Sequence, residues 1–116
     1  MKTDNAVEEK SKAFAIRIVK LNKYLRETKK EFVLSDQVLR SGTSIGANVA
    51  EANCAQTRAD FYSKLSIAYK EAAETKYWLE LLYAGEYIEK THFESILSDC
   101  KELIKLLAAI TKTQKQ

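Results

Sequence analysis

A chain of 116 residues with a formal net charge of +3, no proline and three glycines (Gly42, Gly46, Gly85) has room for one hydrophobic core and almost no turn chemistry. Lys, Glu, Ala and Leu dominate, a composition that favours helices over a sheet. No apolar run reaches the ~18 residues of a membrane span and the N-terminus lacks a signal-peptide pattern; the expectation is a cytoplasmic protein whose Cys54 and Cys100 are free thiols.

Four periodic segments follow in chain order, predicted as helices over about 5–29, 33–54, 58–84 and 92–113. The first opens near Asn5, which with Glu8 has the spacing of a capping box. It sets Val7, Phe14 and Leu21 seven apart, with Ser11, Ile18 and Leu25 between them. The second carries Leu34, Val38, Ser41, Ile45, Asn48 and Ala52 at alternating steps of four and three, a seam of unusually small side chains. The third starts at Thr57, with Asp60 three residues on, and repeats the alternation through Phe61, Leu65, Ala68, Ala72, Thr75, Leu79 and Leu82 until Gly85. Thr91 with Glu94 opens the fourth, whose seam is Phe93, Leu97, Cys100, Ile104, Leu107 and Thr111. The connectors are too short to divide domains and force neighbours antiparallel. The expected architecture is a single all-α domain over 1–116, an antiparallel up-and-down four-helix bundle with helices of about 35 Å.

Catalytic constellations are scarce. Gly42-Thr43-Ser44-Ile45-Gly46 matches the nucleophile-elbow pattern, which would set Ser44 on a strand-to-helix turn beside a base. Residues 34–41 have helical spacing instead, and the chain is too short for a hydrolase fold. His92 is the one histidine, in the first turn of the fourth helix. One histidine and two distant cysteines do not make a zinc site. Glu71 and Glu74, with Lys70 and Lys64 nearby, read as surface ion pairs. The sequence therefore points to no enzyme, no cofactor, no metal and no small-molecule substrate.

Other patterns speak of contact surfaces. Gly42, Gly46 and Ala50 lie four apart, and each helical glycine costs roughly 1 kcal/mol relative to alanine; close approach of another helix, or tolerance at a kink, would account for them. Gln37, Arg40, Ser44, Asn48 and Glu51 form a polar stripe, read either as solvated surface or as a polar network at a subunit contact. On the third helix Ile67, Trp78 and Leu81 project away from the core seam, an apolar patch that favours self-association. Tyr62 and Tyr69 fall on a further flank as core-edge residues.

Residues 1–30 hold nine Lys or Arg against four acids, and Lys12, Lys20, Lys23, Arg26 and Lys30 cluster opposite Phe14, Ile18 and Leu21. Such a stripe is either the solvated back of a helix or a nucleic-acid contact, RNA or DNA, which a ring of copies would multiply.

The run Leu39-Arg40-Ser41-Gly42-Thr43-Ser44-Ile45-Gly46-Ala47-Asn48-Val49-Ala50-Glu51-Ala52 resembles the signature of the four-helix bundle proteins associated with intervening sequences of 23S ribosomal RNA. Phe61-Tyr62-Ser63-Lys64-Leu65-Ser66-Ile67-Ala68, followed by Lys70-Glu71-Ala72 and Glu74-Thr75-Lys76-Tyr77-Trp78-Leu79-Glu80, is similar to that family's third helix. Many relatives have proline or alanine near 46, isoleucine at 49 and glycine at 52, where this chain has Gly46, Val49 and Ala52. The resemblance implies a bundle that assembles as a homopentamer, with relatives encoded inside ribosomal RNA insertions and others acting as accessory proteins of diversity-generating retroelements. It makes Arg40, Ser44, Asn48 and Glu51 signature positions, read as structural or interfacial.

Overall fold

The computed structural model describes the backbone of residues 1–114 and the side chains of residues 1–112. Four helices account for the described fold: α1 (Asn5–Glu27), α2 (Val33–Asn53), α3 (Arg58–Ala84) and α4 (Lys90–Gln114), with no strand among the described residues. Each packs on its neighbour in sequence and α4 returns to α1, closing a rod of 44 × 20 × 20 Å. Cross-helix contacts run in opposite order on the two members of each pair. Thr3 meets Asn53 while Arg26 meets Asp36; Arg40 meets Glu71 and Glu74 while Glu51 meets Lys64; Cys100 bonds Ala72 while Phe93 stacks on Tyr83; Lys10 meets Glu102 while Arg17 meets Asp99. All four contacts are antiparallel, as the short connectors require.

The heptad seams of α1 and α3 are buried residue for residue: Val7, Ser11, Phe14, Ile18, Leu21 and Leu25, and Phe61, Leu65, Ala68, Ala72, Thr75, Leu79 and Leu82. In α2 the seam is Ser35, Val38, Ser41, Gly42, Ile45, Val49 and Ala52, so Val49 takes the place expected for Asn48 and Leu34 is only half-buried. In α4 the core falls to Ile96, Cys100, Leu103 and Leu107, with Ile104 packed at the core's edge and Leu97 half-buried.

The helix ends differ from expectation by a residue or two. Asp4, rather than Asn5, caps α1, its carboxylate accepting from the Val7 amide at 3.0 Å. Thr57 caps α3 through the Asp60 amide, as the spacing predicts. At α2 the cap position holds Phe32, and Glu31 takes over the task, accepting from the amides of Val33 (3.3 Å) and Ser35 (2.7 Å). α4 begins at Lys90, leaving Thr91 inside its first turn, where the Phe93 amide already donates to the Glu89 carbonyl. α3 stops at Ala84, but Gly85 has φ −82°; the left-handed residue of that turn is Glu86 (φ 66°).

The glycines of α2 are explained by contact. A Cβ on Gly42 would lie 2.8 Å from two side-chain carbons of Ile18, and one on Gly46 would lie 3.3 Å from the backbone oxygen of Ser11. Close approach of α1, rather than a kink, is therefore why these positions lack a side chain. Ile18 is fully buried and β-branched, so it has no rotamer to escape into. Gly42→Ala should lose about 1–2 kcal/mol of stability in urea denaturation, the overpacking outweighing the gain in helix propensity. Gly46→Ala, which needs only a few tenths of an ångström of adjustment, should lose less than half as much; equal losses would contradict the steric account.

Candidate nucleic-acid and subunit interfaces

The basic residues of α1 do not behave as one set. Lys12, Lys20 and Lys23 stand on the exposed side of the helix and enter no ion pair within 4 Å among the described residues. Arg26 is occupied: its guanidinium lies 3.1 Å from Asp36 and 5.0 Å from the centre of the Phe32 ring. Lys30 lies beyond the end of α1, in a left-handed turn residue (φ 54°) stabilised by the Glu31 amide donating to the Leu25 carbonyl at 2.9 Å. Lys30 therefore leaves the stripe drawn by helical angle, since it lies three residues past Glu27, the last residue of α1, in a left-handed conformation. Two apolar residues that the periodicity did not single out, Ile16 and Val19, are half exposed on the same side of α1. Their signal was present in the sequence as apolar residues outside the seven-residue seam.

The polar stripe of α2 is largely satisfied within its own fold. Ser44 donates to the Arg40 carbonyl (2.6 Å) and the Asn48 amide to the Ser44 carbonyl (2.8 Å), both one turn back. Ser44 thus sits mid-helix with its hydroxyl engaged, not on a nucleophile elbow. Arg40 reaches α3 and pairs with both Glu71 (3.3 Å) and Glu74, and Glu51 pairs with Lys64 at 3.7 Å. The acids Glu71 and Glu74 accordingly find their partner on α2, where Lys70 and Lys64 had been expected to serve. Behind this layer the hydroxyls of Ser41 and Thr75 lie 2.8 Å apart in the core.

The outward patch of α3 is less free than the pattern suggested. Trp78 is half-buried against the core and donates its indole N–H to Glu74 at 2.8 Å. It also meets Tyr77 edge to face. Leu81 is half-buried as well, while Ile67 remains 39% exposed. With Tyr69, Tyr77 and Tyr83, it makes α3 the source of four of the ten large apolar or aromatic side chains that stand exposed among the described residues. A helix apolar around its circumference has more surface to cover than one bundle covers.

Cys100 is buried, its Sγ 3.4 Å from the Ala72 carbonyl, and burial pushes its thiol up to about 12. Cys54 is exposed. No group of three or more potential metal ligands occurs among the described residues, and no described helix is long and apolar enough to cross a membrane.

The geometry defines a class: a four-helix bundle whose polar stripe ties two helices together and whose outer faces carry exposed lysines and aromatic rings. The family of 23S rRNA-intervening sequence proteins matches residues 3–109, and the chain belongs to it. It is also similar to a solved protein of unknown function from the S23 ribosomal protein family of Bacteroides thetaiotaomicron VPI-5482. The two are 59% identical with a TM-score of 0.91, the match covering 93% of this chain and 96% of that one. Among curated proteins none matches.

Two measurements probe this geometry. Arg40→Ala leaves two carboxylates three residues apart on α3 and should cost about 1 kcal/mol at low salt, the loss shrinking toward about 1 M salt as the charges are screened; a salt-independent stability equal to that of the parent chain would show that the pair contributes nothing. At about pH 8 a thiol reagent should modify one cysteine per folded chain, Cys54, and both after denaturation. Rapid modification of two in the folded state would contradict the burial of Cys100.

Proposed function

We propose that this chain is a non-enzymatic, self-associating bundle that binds RNA in the setting its family name indicates, ribosomal RNA, and therefore acts in the cytoplasm. The observation that carries the reading is the division of cations on α1. Lys10, Arg17 and Arg26 are held by acids of α4 and α2, whereas Lys12, Lys20 and Lys23 stand exposed without an ion-pair partner among the described residues. Unpaired exposed lysines are available for phosphates, and their effect rises with copy number in the five-membered ring that the resemblance implies. Self-association uses the outer flank of α3, where Ile67 is exposed and Trp78 and Leu81 are half-buried further along the helix. The non-enzymatic reading is supported by the engagement of the Ser44 hydroxyl with the Arg40 carbonyl and by the burial of Cys100.

A second reading is favoured by one feature, the placement of half-exposed Ile16 and Val19 on the lysine side of α1. Apolar residues ringed by cations suit a protein partner, as for a scaffold or an accessory subunit of a reverse transcriptase.

Filter binding to structured RNA across a salt series separates the two. RNA binding predicts affinity that falls steeply with salt, and Lys20→Glu with Lys23→Glu should weaken it at least tenfold at about 100 mM salt without altering the helical content. No RNA retained at about 50 mM salt leaves the scaffold reading. For assembly, Ile67→Asp is an exposed substitution that should reduce the mass seen in light scattering; an unchanged mass would move the subunit contact elsewhere.

A further inference from the structure

The flank of α3 that meets α4 carries a column which neither the signature nor the apolar patch uses. Tyr62, Tyr69, Lys76 and Tyr83 recur every seven residues, so they stack along one side of the helix about 10 Å apart. Tyr83 fixes which side this is: its ring stacks on Phe93 of α4, with centroids 4.3 Å apart and planes 3° from parallel. Midway along, Lys76 joins Lys101 and Lys105 of α4 around an open groove of about 730 Å³, with the half-buried Leu97 and Ile104 in its lining. At the far end the Arg58 guanidinium lies 5.3 Å from the centre of the Tyr62 ring.

The charges of the groove are not balanced from within. Its two acids have lysine partners outside it, Glu102 at 3.1 Å from Lys10 of α1 and Glu94 at 3.9 Å from Lys90. Lys76, Lys101 and Lys105 have no ion pair within 4 Å among the described residues. Three cations around an apolar floor, in line with an exposed tyrosine, present the two things a nucleotide offers: phosphate to the lysines and a base face to the ring. In a duplex the base faces are covered by their neighbours, and only the phosphates remain.

We propose that the α3–α4 groove is a binding site for unpaired RNA, with Lys76, Lys101 and Lys105 on the phosphates and the Tyr69 ring as a stacking surface. This inference rests on the RNA-binding reading above but places contact on a different face from the α1 lysines. Trp78 bonds Glu74, which pairs with Arg40 of α2, and none of Ile67, Trp78 and Leu81 lines the groove.

The test is fluorescence anisotropy at about 100 mM salt with a labelled oligoadenylate of about ten nucleotides and, separately, an RNA duplex of the same length. Lys101→Glu with Lys105→Glu should weaken single-strand binding at least tenfold. Tyr69→Leu, which keeps an apolar side chain and removes the ring, should weaken it about five- to tenfold and leave duplex binding unchanged. Single-strand affinity untouched by both variants, but lost in Lys20→Glu with Lys23→Glu, overturns the groove and keeps the RNA reading. Equal losses on single strand and duplex in Tyr69→Leu would also overturn it. Parent protein that binds neither RNA sinks both readings, and competition by polyglutamate alone would reassign the groove to an acidic peptide.

Discussion

The close approach of α1 and α2 is the constraint on which the rest of this bundle depends. Two glycines one turn apart bring the Ile18 side chain and the Ser11 backbone against the surface of α2. Helices usually sit 8–10 Å apart according to the side chains between them, and small residues lie at the short end of that range. With α1 drawn in, the small seam of α2 is completed by large residues from its neighbours, Phe14, Ile18 and Leu21 on one side and Leu65 and Leu79 on the other, all of them buried. The cost in helix propensity is thus offset by packing that any side chain at position 42 would obstruct.

Polar groups on α2 are disposed consistently with that tight packing. Thr43, Ser44 and Asn48 each bond a carbonyl one turn back, which satisfies them without demanding room from a neighbour. Arg40 and Glu51 reach outward to α3, where exposure keeps desolvation low and the pairs orient more than they stabilise. One polar pair, Ser41 with Thr75, is fully buried, and since each hydroxyl can both donate and accept, its members suit each other and the Glu71 carbonyl 2.7 Å from Thr75. A stripe that looked equally like solvated surface or a subunit network is, for the most part, the fastening of α2 to itself and to α3.

How much of this could be read from sequence depended on whether a second apolar register ran beside the seam. In α1 and α3 one four-three register carries the seam from end to end, and every member of it is buried. In α4 the doublets Ile96-Leu97 and Leu103-Ile104 offer two apolar residues for each core position, and periodicity alone cannot choose between them. The structure buries Ile96 and Leu103. The same ambiguity at Asn48-Val49 was resolved toward the polar residue by counting steps, and toward Val49 by burial. Helix ends shifted because competing caps stood side by side: Asp4 beside Asn5, and Glu31 reaching past the cap position of α2. The surfaces were less legible still. Helical angle placed Trp78 outward, but a large ring at the edge of a core folds back over it, and its N–H had Glu74 one turn away to bond.

What distinguishes the outer faces is which charges the fold consumes. Cations facing another helix meet an acid: Lys10 and Arg17 on α4, Arg26 on α2, Arg40 on α3. Those pairs are solvent-exposed and add little stability, yet they neutralise each cation locally. Among the described lysines left over are Lys12, Lys20 and Lys23 on the back of α1 and Lys76, Lys101 and Lys105 around the α3–α4 groove. A net charge of only +3 therefore understates the field at these surfaces, because much of the negative charge is already spent on internal pairs. Placed away from the apolar flank of α3, both surfaces would face outward when copies join along that flank. In the association proposed above, each added copy would then extend a charged array without covering it.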